Sequence, residues 1–437
     1  PAREVPRMST PARTTGASVA DLAFEPRPEV AVGLIGAGGR MRGLLDNLFP
    51  VPHVRVVAIA DTSEEAVSRL VTRAVAAGLS APAAHHGPEA AEHLLARPDI
   101  DLVLVATPWN SHASLAVQAM RAGKHVGVEV PAATTLADCW ALVDASEETQ
   151  RHCVMLENCC YGETELLVLN LVRAGLLGDL LHAECSYTHD LRADLMETQA
   201  WRRQAHIDRS GNLYPTHGLG PVAGYLGINR GDRFTRLVSM DSPSIGLQTY
   251  RDRTVAADDP RRAEAYRNAD INTSLIQTAL GRTVMLQHQV IGPRPYERRN
   301  QLVGTNGIYS DYPSRIQLED DPLRPGVRTA QEREEFCEIG PYLEAYGHAL
   351  WRLQGERALQ LGTHGGMDYL MLFRLIETIR LGLVPDIDVY DAAAWSAPGP
   401  LSADSLEAGS MPIEFPDFLR GEWQRTRPGL LAAPPGT

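Results

Sequence analysis

Short, almost wholly apolar runs alternate with amphipathic stretches up to about residue 160. Val30–Ile35, Arg55–Ala60, Asp101–Thr107, His125–Val130 and Cys153–Glu157 carry strand patterns. Between them the pattern predicts helices from the glycine turn Gly36–Arg40 through Leu48, and over Ser63–Ala77, Ser111–Ala122 and Leu136–Thr149. A strand that is apolar at nearly every position is covered on both faces, as in a parallel sheet flanked by helices. Right-handed crossovers make the doubly wound arrangement the default for such a chain.

Past residue 160 the pattern changes. A helix over Glu163–Ala174 leads to strands at Leu180–Tyr187 and Phe234–Met240. Asn272–Leu280 and Thr283–Val290 flank Gly281-Arg282, and Gln301–Val303 and Gly307–Ser310 flank Thr305-Asn306; both pairs read as hairpins. Gly366–Leu381 predicts a long late helix, and the Pro-rich end after Pro398 reads as irregular. The expected fold is α/β: an N-terminal Rossmann domain, then an α+β domain with an open, mostly antiparallel sheet.

Composition narrows the function classes. A chain of 437 residues exceeds what one core usually serves, so two domains are expected. No apolar run approaches 18 residues, which predicts no membrane span and no membrane partner. The first 28 residues lack the apolar centre of a secretory signal. A cytoplasmic location is expected, or a secreted or periplasmic one if a signal was removed upstream. The net charge of −13, with no dense basic cluster, argues against nucleic acid as a partner. Six scattered cysteines, with Cys159 and Cys160 adjacent, suit neither a disulfide framework nor a metal site, so no metal is expected. Lys124 is the only lysine, which leaves almost none for catalysis.

The turn after the first strand carries the first candidate chemistry. Gly36 and Gly38 precede a helix, where bare backbone N–H groups approach a pyrophosphate. Met41 stands where the third glycine of the usual fingerprint would be. Asp61 ends the second strand, the place of a carboxylate that takes ribose hydroxyls. Thr62-Ser63-Glu64 offers no cation for a 2′-phosphate, so the cofactor expected is NAD rather than NADP. Read without that context, the turn is also compatible with a plain βα connection, Trp109 with packing, Tyr214 and His217 with satisfied core residues, and Arg202-Arg203 with a solvated pair.

Gly36–Arg40, Asp61, Ala106–His112 and Gly127–Pro131 resemble the Gfo/Idh/MocA oxidoreductase family. That resemblance covers nearly everything from residue 29 and implies a Rossmann domain followed by an open sheet that often mediates dimer contacts. Most dehydrogenases of that family have Glu-Lys-Pro at the fourth strand, with a catalytic lysine; this chain has Glu129-Val130-Pro131. Glu129–Pro131, Glu157–Tyr161, Tyr187–Arg192, Trp201-Arg202, Tyr214–Pro221, Tyr296, His364–Asp368 and Asp391–Ser396 are similar to the family 109 glycoside hydrolases, NAD-dependent α-N-acetylgalactosaminidases. The resemblance implies NAD contacts at Gly39, Arg40, Asp61, Trp109, Asn110, Ser111, His112, Glu129, Val130 and Asn158, beside the turn glycines Gly36 and Gly38. It implies sugar contacts at Tyr187, Arg202, Tyr214, His217 and Tyr296.

The reaction implied has no need of the paired carboxylates of ordinary glycosidases. The sugar is oxidised transiently at C3, the acidified C2 proton is removed, the C1 group is eliminated, water adds, and C3 is reduced again. His217 is the candidate base at the oxidised hydroxyl because imidazole titrates near neutrality. Tyr214, three residues earlier, shares a face with it if the segment is helical. Tyr161 is a second candidate for the C2 proton, and Arg202 offers a fork of donors. The expected partner is a glycoside, of an amino-hexose by the resemblance, with a homodimer or higher homo-oligomer as the assembly. The alternatives are an NAD-dependent sugar or cyclitol dehydrogenase and a non-catalytic NAD-and-sugar binding protein. The expected division is a flexible tail over 1–28, an NAD-binding domain over 29–158, a substrate and oligomerisation domain over 159–397, and an irregular segment over 398–437.

Overall fold

In the computed structural model, which describes residues 10–13, 15–326, 329–425, 427, 428 and 431, the early apolar runs form one parallel sheet. Its elements run β1 (Val30–Ile35), α1 (Gly39–Leu48), β2 (Val54–Asp61), α2 (Glu64–Ala76), β3 (Ala83–His86) and α3 (Ala90–Leu95). They continue with β4 (Leu102–Val105), α4 (His112–Arg121), β5 (His125–Val128), α5 (Leu136–Thr149) and β6 (Cys153–Met155). The strand order is β3-β2-β1-β4-β5-β6, the doubly wound Rossmann order expected. β1, β4, β5 and β6 are buried at every position, which is why they read as continuous apolar runs. Helices α2 and α5 start where side chains satisfy their first N–H groups. Ser63 Oγ accepts from Ala66 N at 3.2 Å before α2, and Thr135 Oγ1 accepts from Asp138 N at 3.0 Å before α5.

The second half of the chain builds another sheet. It opens with α6 (Glu163–Arg173) and β7 (Leu180–Thr188), then α7 (Arg192–Glu197), α8 (Ala200–Asp208), α9 (Thr216–Leu226), β8 (Phe234–Asp241) and α10 (Gly246–Thr254). β9 (Asn272–Thr278), β10 (Thr283–Gln289), β11 (Gln301–Gly304), β12 (Gly307–Ser310) and β13 (Arg315–Leu318) follow. Next come α11 (Ala330–Glu334), β14 (Cys337–Glu338) and α12 (Gly340–Tyr346). α13 (Ala349–Leu361), α14 (Met367–Leu381), α15 (Val389–Ser396), α16 (Pro398–Glu407) and β15 (Ile413–Glu414) complete the described elements. The strand order is β14-β13-β12-β11-β7-β10-β9-β8-β15. β7 and β10 pair in parallel, and the other neighbours are antiparallel. The β9–β10 and β11–β12 hairpins form where Gly281-Arg282 and Thr305-Asn306 predict them.

Two compact units result. One holds Thr164–Gly347 and Trp395–Asp417; the other holds Pro11–Glu163, His348–Ala394 and the described residues from Phe418 onward. The chain thus returns to the Rossmann unit through α13 and α14, whereas the division expected from sequence is contiguous. The stretch after Pro398 is not irregular at its start: Pro398 sits in the first turn of α16, where a missing N–H is no loss. The described part of the N-terminal segment is packed rather than a free tail. Val19 and Ala20 are buried, Phe24 N donates to Gly382 O at 2.8 Å, and the Phe24 ring stands edge-on to His125 and His152.

Candidate functional site

At the β1–α1 turn the glycines divide their work. Gly36 has φ +95°, and a Cβ there would lie 2.6 Å from the Ala106 carbonyl oxygen, so the turn closes only with glycine. A Cβ on Gly38 or Gly39 would meet nothing, so the backbone there faces open space. α1 begins at Gly39 with no side-chain cap and no acidic residue in its first turn. Its first N–H groups are available to an anion, with the helix dipole behind them. Met41, in place of a third glycine, points into the core and is fully buried. Across the turn, the Asp61 carboxylate accepts from Ala37 N at 2.6 Å and Ser63 N at 2.9 Å. Glu64 and Glu65 in the first turn of α2 would repel a 2′-phosphate. This cradle fits NAD.

The ends of β4 to β6 in the same unit gather the other residues assigned to the cofactor. After β4, Trp109 is buried, Asn110 is exposed, and Ser111 Oγ meets Thr107 Oγ1 at 2.7 Å. The buried His112 ring links two loops, with Nδ1 at 2.9 Å from Pro131 O and Nε2 at 2.7 Å from Thr107 O. Burial lowers its pKa, against the opposing pull of those carbonyls and of Glu129. Val130 is buried beside Glu129. Arg40, from the first turn of α1, donates through Nε to Glu129 Oε1 at 2.6 Å and through both terminal nitrogens to Asp368 at 2.8 and 3.0 Å. Asn158 Nδ2 donates to Asp368 Oδ1 at 2.8 Å, and His364 Nδ1 lies 2.7 Å from Oδ2. Burial alone would raise the Asp368 carboxyl. The hydrogen bonds from His364 and Arg40, with the Arg40 charge, outweigh it and hold the group well below the usual carboxylate range. Lys124 is spent elsewhere, donating to Arg97 O at 2.7 Å.

Tyr161, the second candidate for the C2 proton, is buried in the Rossmann unit. Its hydroxyl is buried among Val154, Leu156, Met371, Leu375 and Thr378 and donates to Asp386 at 3.4 Å. Asp386 in turn holds Arg374 through two bonds of 2.8 and 2.9 Å. Burial and the Asp386 charge push the phenol well above its ordinary pKa. A hydroxyl so placed supports the packing of α14.

The sheet unit carries the sugar candidates, and they meet. β7 ends with Tyr187, and α9 crosses it so closely that a Cβ on Gly218 would lie 2.7 Å from Ser186 backbone N and O. That contact brings His217 to Tyr187, with ring centroids 5.4 Å apart. Tyr214 lies just before α9 and packs on both, at 4.7 Å from Tyr187 and 4.8 Å from His217. Its hydroxyl is 3.3 Å from His217 Nε2, so the pairing expected for a helical turn exists although Tyr214 precedes the helix. Arg202, on α8, places its guanidinium 5.3 Å from the Tyr214 ring centre. Tyr296 is partly exposed and packs at 6.3 Å from Tyr187.

Four further residues join this cluster. His189 Nδ1 is 3.2 Å from the Tyr187 hydroxyl, and its ring lies 5.2 Å from Tyr296. Burial lowers its pKa, with Arg202 and His217 adding to the effect. His288 is the β10 partner of Tyr187 in register, stacks at 6.4 Å, and is followed by His206 at 6.4 Å. Burial pushes both imidazoles down to about 3. Arg298 donates to the Tyr296 hydroxyl at 3.0 Å and is itself anchored on Glu165. His189 was visible as the same-face neighbour of Tyr187 two residues on. His288 and Arg298 depend on strand register, and Asp368 on a helix far along the chain.

Two family models match the chain on either side of residue 160. The model described as glycosyl hydrolase 109, C-terminal domain, matches residues 161–425, and that of an oxidoreductase family with an NAD-binding Rossmann fold matches residues 30–157. The chain is 51% identical over 425 residues to a glycosyl hydrolase family 109 protein of Solibacter usitatus, covering 95% of each. It is 43% identical over 429 residues to an alpha-N-acetylgalactosaminidase of Shewanella oneidensis, covering 97% of this chain and 92% of that one. Among solved structures, levoglucosan dehydrogenase in complex with NADH and levoglucosan superposes with a TM-score of 0.67 at 21% identity, over 89% of this chain and 100% of that one. An aldose-aldose oxidoreductase from Caulobacter crescentus gives 0.61 at 19% identity, over 88% and 99%. At such identities the likeness is one of fold.

Proposed function

The chain belongs to glycosyl hydrolase family 109 and opens with an NAD-binding Rossmann domain, and from that premise we propose that it is an NAD-dependent glycosidase acting on α-N-acetylgalactosaminides. The observation that carries the proposal is the Tyr187–Tyr214–His217 cluster with Arg202 beside it. It is a polar, titratable, aromatic-walled surface with no pair of carboxylates among the residues that form it.

Bound NAD⁺ supplies a hydride acceptor at the sugar's C3, and its reduced form the matching donor. His217 takes the proton of the C3 hydroxyl, with Tyr214 hydrogen-bonded to Nε2 to fix the ring. The C3 ketone makes the C2 proton acidic. Because the Tyr161 hydroxyl is turned into the Rossmann unit, this proton falls to Tyr187, whose hydroxyl rests against His189 Nδ1. Loss of the C1 substituent, addition of water across C1 and C2, and return of a hydride to C3 with the proton from His217 to its oxygen complete the cycle. Arg202 has five N–H donors and no basic function, which suits it to hold sugar oxygens or an N-acetyl carbonyl. Tyr296 offers an exposed aromatic face for the ring.

Homodimerisation is part of the same proposal. The uncovered face of the second sheet exposes Met240 on β8 and Leu275 on β9, beside Met285 on β10. The six free cysteines support work in a reducing compartment, and no helix among the described residues is long and apolar enough to cross a membrane. The test is a panel of p-nitrophenyl glycosides assayed with NADH absorbance followed. Nitrophenol release from the α-N-acetylgalactosaminide without net NADH supports the proposal. NADH accumulating on free sugars, with no glycoside cleaved, would replace it with a dehydrogenase.

A further inference from the structure

We propose that Asp368, at the start of α14 and far in sequence from the dinucleotide turn, is a positioning residue for the cofactor's nicotinamide half: its buried carboxylate fixes Arg40 and Asn158, and through Arg40 the side chain of Glu129. The inference rests on the NAD reading of the Rossmann unit and deepens it.

The carboxylate is 1% exposed and receives four donors: two from Arg40, one from Asn158 and one from His364. Every one of these groups lies in the Rossmann unit. The Arg40 guanidinium is left with no freedom, since its Nε is held by Glu129 at the end of β5. Glu129 is braced from the other side by the Val130 N–H, which reaches Oε2 at 3.3 Å. Asp368 therefore ties together the first turn of α1, the end of β5 and the segment after β6. A buried carboxylate paired with the Arg40 guanidinium would be a poor choice for stability alone, because its desolvation offsets much of the attraction. It is a good choice for holding two donors and an acceptor in one geometry.

The location says which half of the cofactor is affected. Asp61, at the end of β2, lies on one side of β1 in the strand order, and β4, β5 and β6 lie on the other. In this fold the dinucleotide crosses the strand ends at that switch, with the adenosine ribose at the β2 carboxylate. Glu129 and Asn158 then belong to the nicotinamide side.

The experiment compares binding of NAD⁺, ADP-ribose and AMP to the full chain and to Asp368→Asn, by calorimetry, with no turnover needed. The proposal expects the variant to lose about tenfold or more in NAD⁺ affinity, the order of one hydrogen bond to a charged group. AMP affinity should be unchanged. Arg40→Lys keeps the charge but loses the fork, should show the same selective loss, and should add little when combined with Asp368→Asn. This second variant reads the coupling from the other end if Asp368→Asn fails to fold. Unchanged NAD⁺ affinity in the variants, or equal losses for NAD⁺ and AMP, would overturn the positioning role. A parent protein that binds none of the three ligands would instead overturn the NAD reading on which it rests.

Discussion

Replacing Gly218 with alanine puts a methyl group where α9 crosses β7. The added Cβ would lie 2.7 Å from Ser186 N and O, whereas ordinary contact begins at 3.4 Å. The obstacle is backbone on both sides, so no side chain can rotate away. α9 must move off β7 by roughly 0.7 Å, or the end of β7 must yield by as much. Overpacking of this kind costs about 1–3 kcal/mol. For a unit of this size that lowers Tm by roughly 2–4 °C per kcal/mol. The catalytic consequence should be larger than the thermal one, because His217 precedes Gly218 directly and Tyr187 follows Ser186. A misplacement approaching 1 Å between reacting groups loses about a hundredfold in rate. The assay is kcat/KM on the p-nitrophenyl substrate beside a calorimetric melt, with NAD⁺ affinity as control because the dinucleotide residues belong to the other unit. A variant as active and as stable as the parent would refute the claim that this close crossing sets the His217–Tyr187 geometry.

Other expectations follow from the same contacts. His217→Ala should abolish turnover and leave NAD⁺ affinity intact; an active variant would remove His217 from the proton transfer at C3. Tyr161→Phe should keep most of its activity and lose about 1 kcal/mol of stability in urea titrations, since only its bond to Asp386 is removed; a collapse of kcat with stability unchanged would return it to the chemistry. His206 and His288 titrate near 3 in the folded protein, against about 6.5 unfolded. Below pH 6.5 the unfolded chain therefore binds protons that the folded one refuses. Stability contributed by keeping them neutral is complete above that pH and falls as pH drops towards 3, by up to about 1.4 kcal/mol per pH unit for each ring. Urea midpoints at pH 7 and pH 5 check this, and a His288→Gln variant should show a shallower loss than the parent.

How much the sequence disclosed follows from what each element faces. The interior strands of the first sheet are buried on both faces, so apolarity alone marks them. β3 escapes that reading because it is a short edge strand, Ala-Ala-His-His, buried only halfway. α16 was hidden by Pro398 and Pro400, which break a helix in its middle but are tolerated in its first turn. The N-terminal segment reads as a tail because its described residues are mostly small or polar, and few of them, such as Val19, Ala20 and Phe24, bring apolar packing. A glycine turn with a strand-end aspartate in one unit and a Tyr-x-x-His spacing in the other are local, and within each unit the structure pairs them, Ala37 N with Asp61 and Tyr214 with His217. Where a hydroxyl points is not local: Tyr161 lies in a motif shared with the family, yet its direction is set by Asp386 on a distant stretch of chain. Asp368 lies within the His364–Asp368 motif, but its four donors come from three separated segments that no spacing rule connects.

The central claim is that glycosidic cleavage proceeds through a ketone at C3 and loss of the C2 proton. It is tested most directly by hydrolysing the p-nitrophenyl α-N-acetylgalactosaminide in deuterium oxide and locating the label in the released sugar by NMR. Deuterium at C2 with no net accumulation of NADH is the expected result. Released sugar that keeps its original C2 hydrogen in full would contradict it, because direct displacement at C1 never breaks that bond.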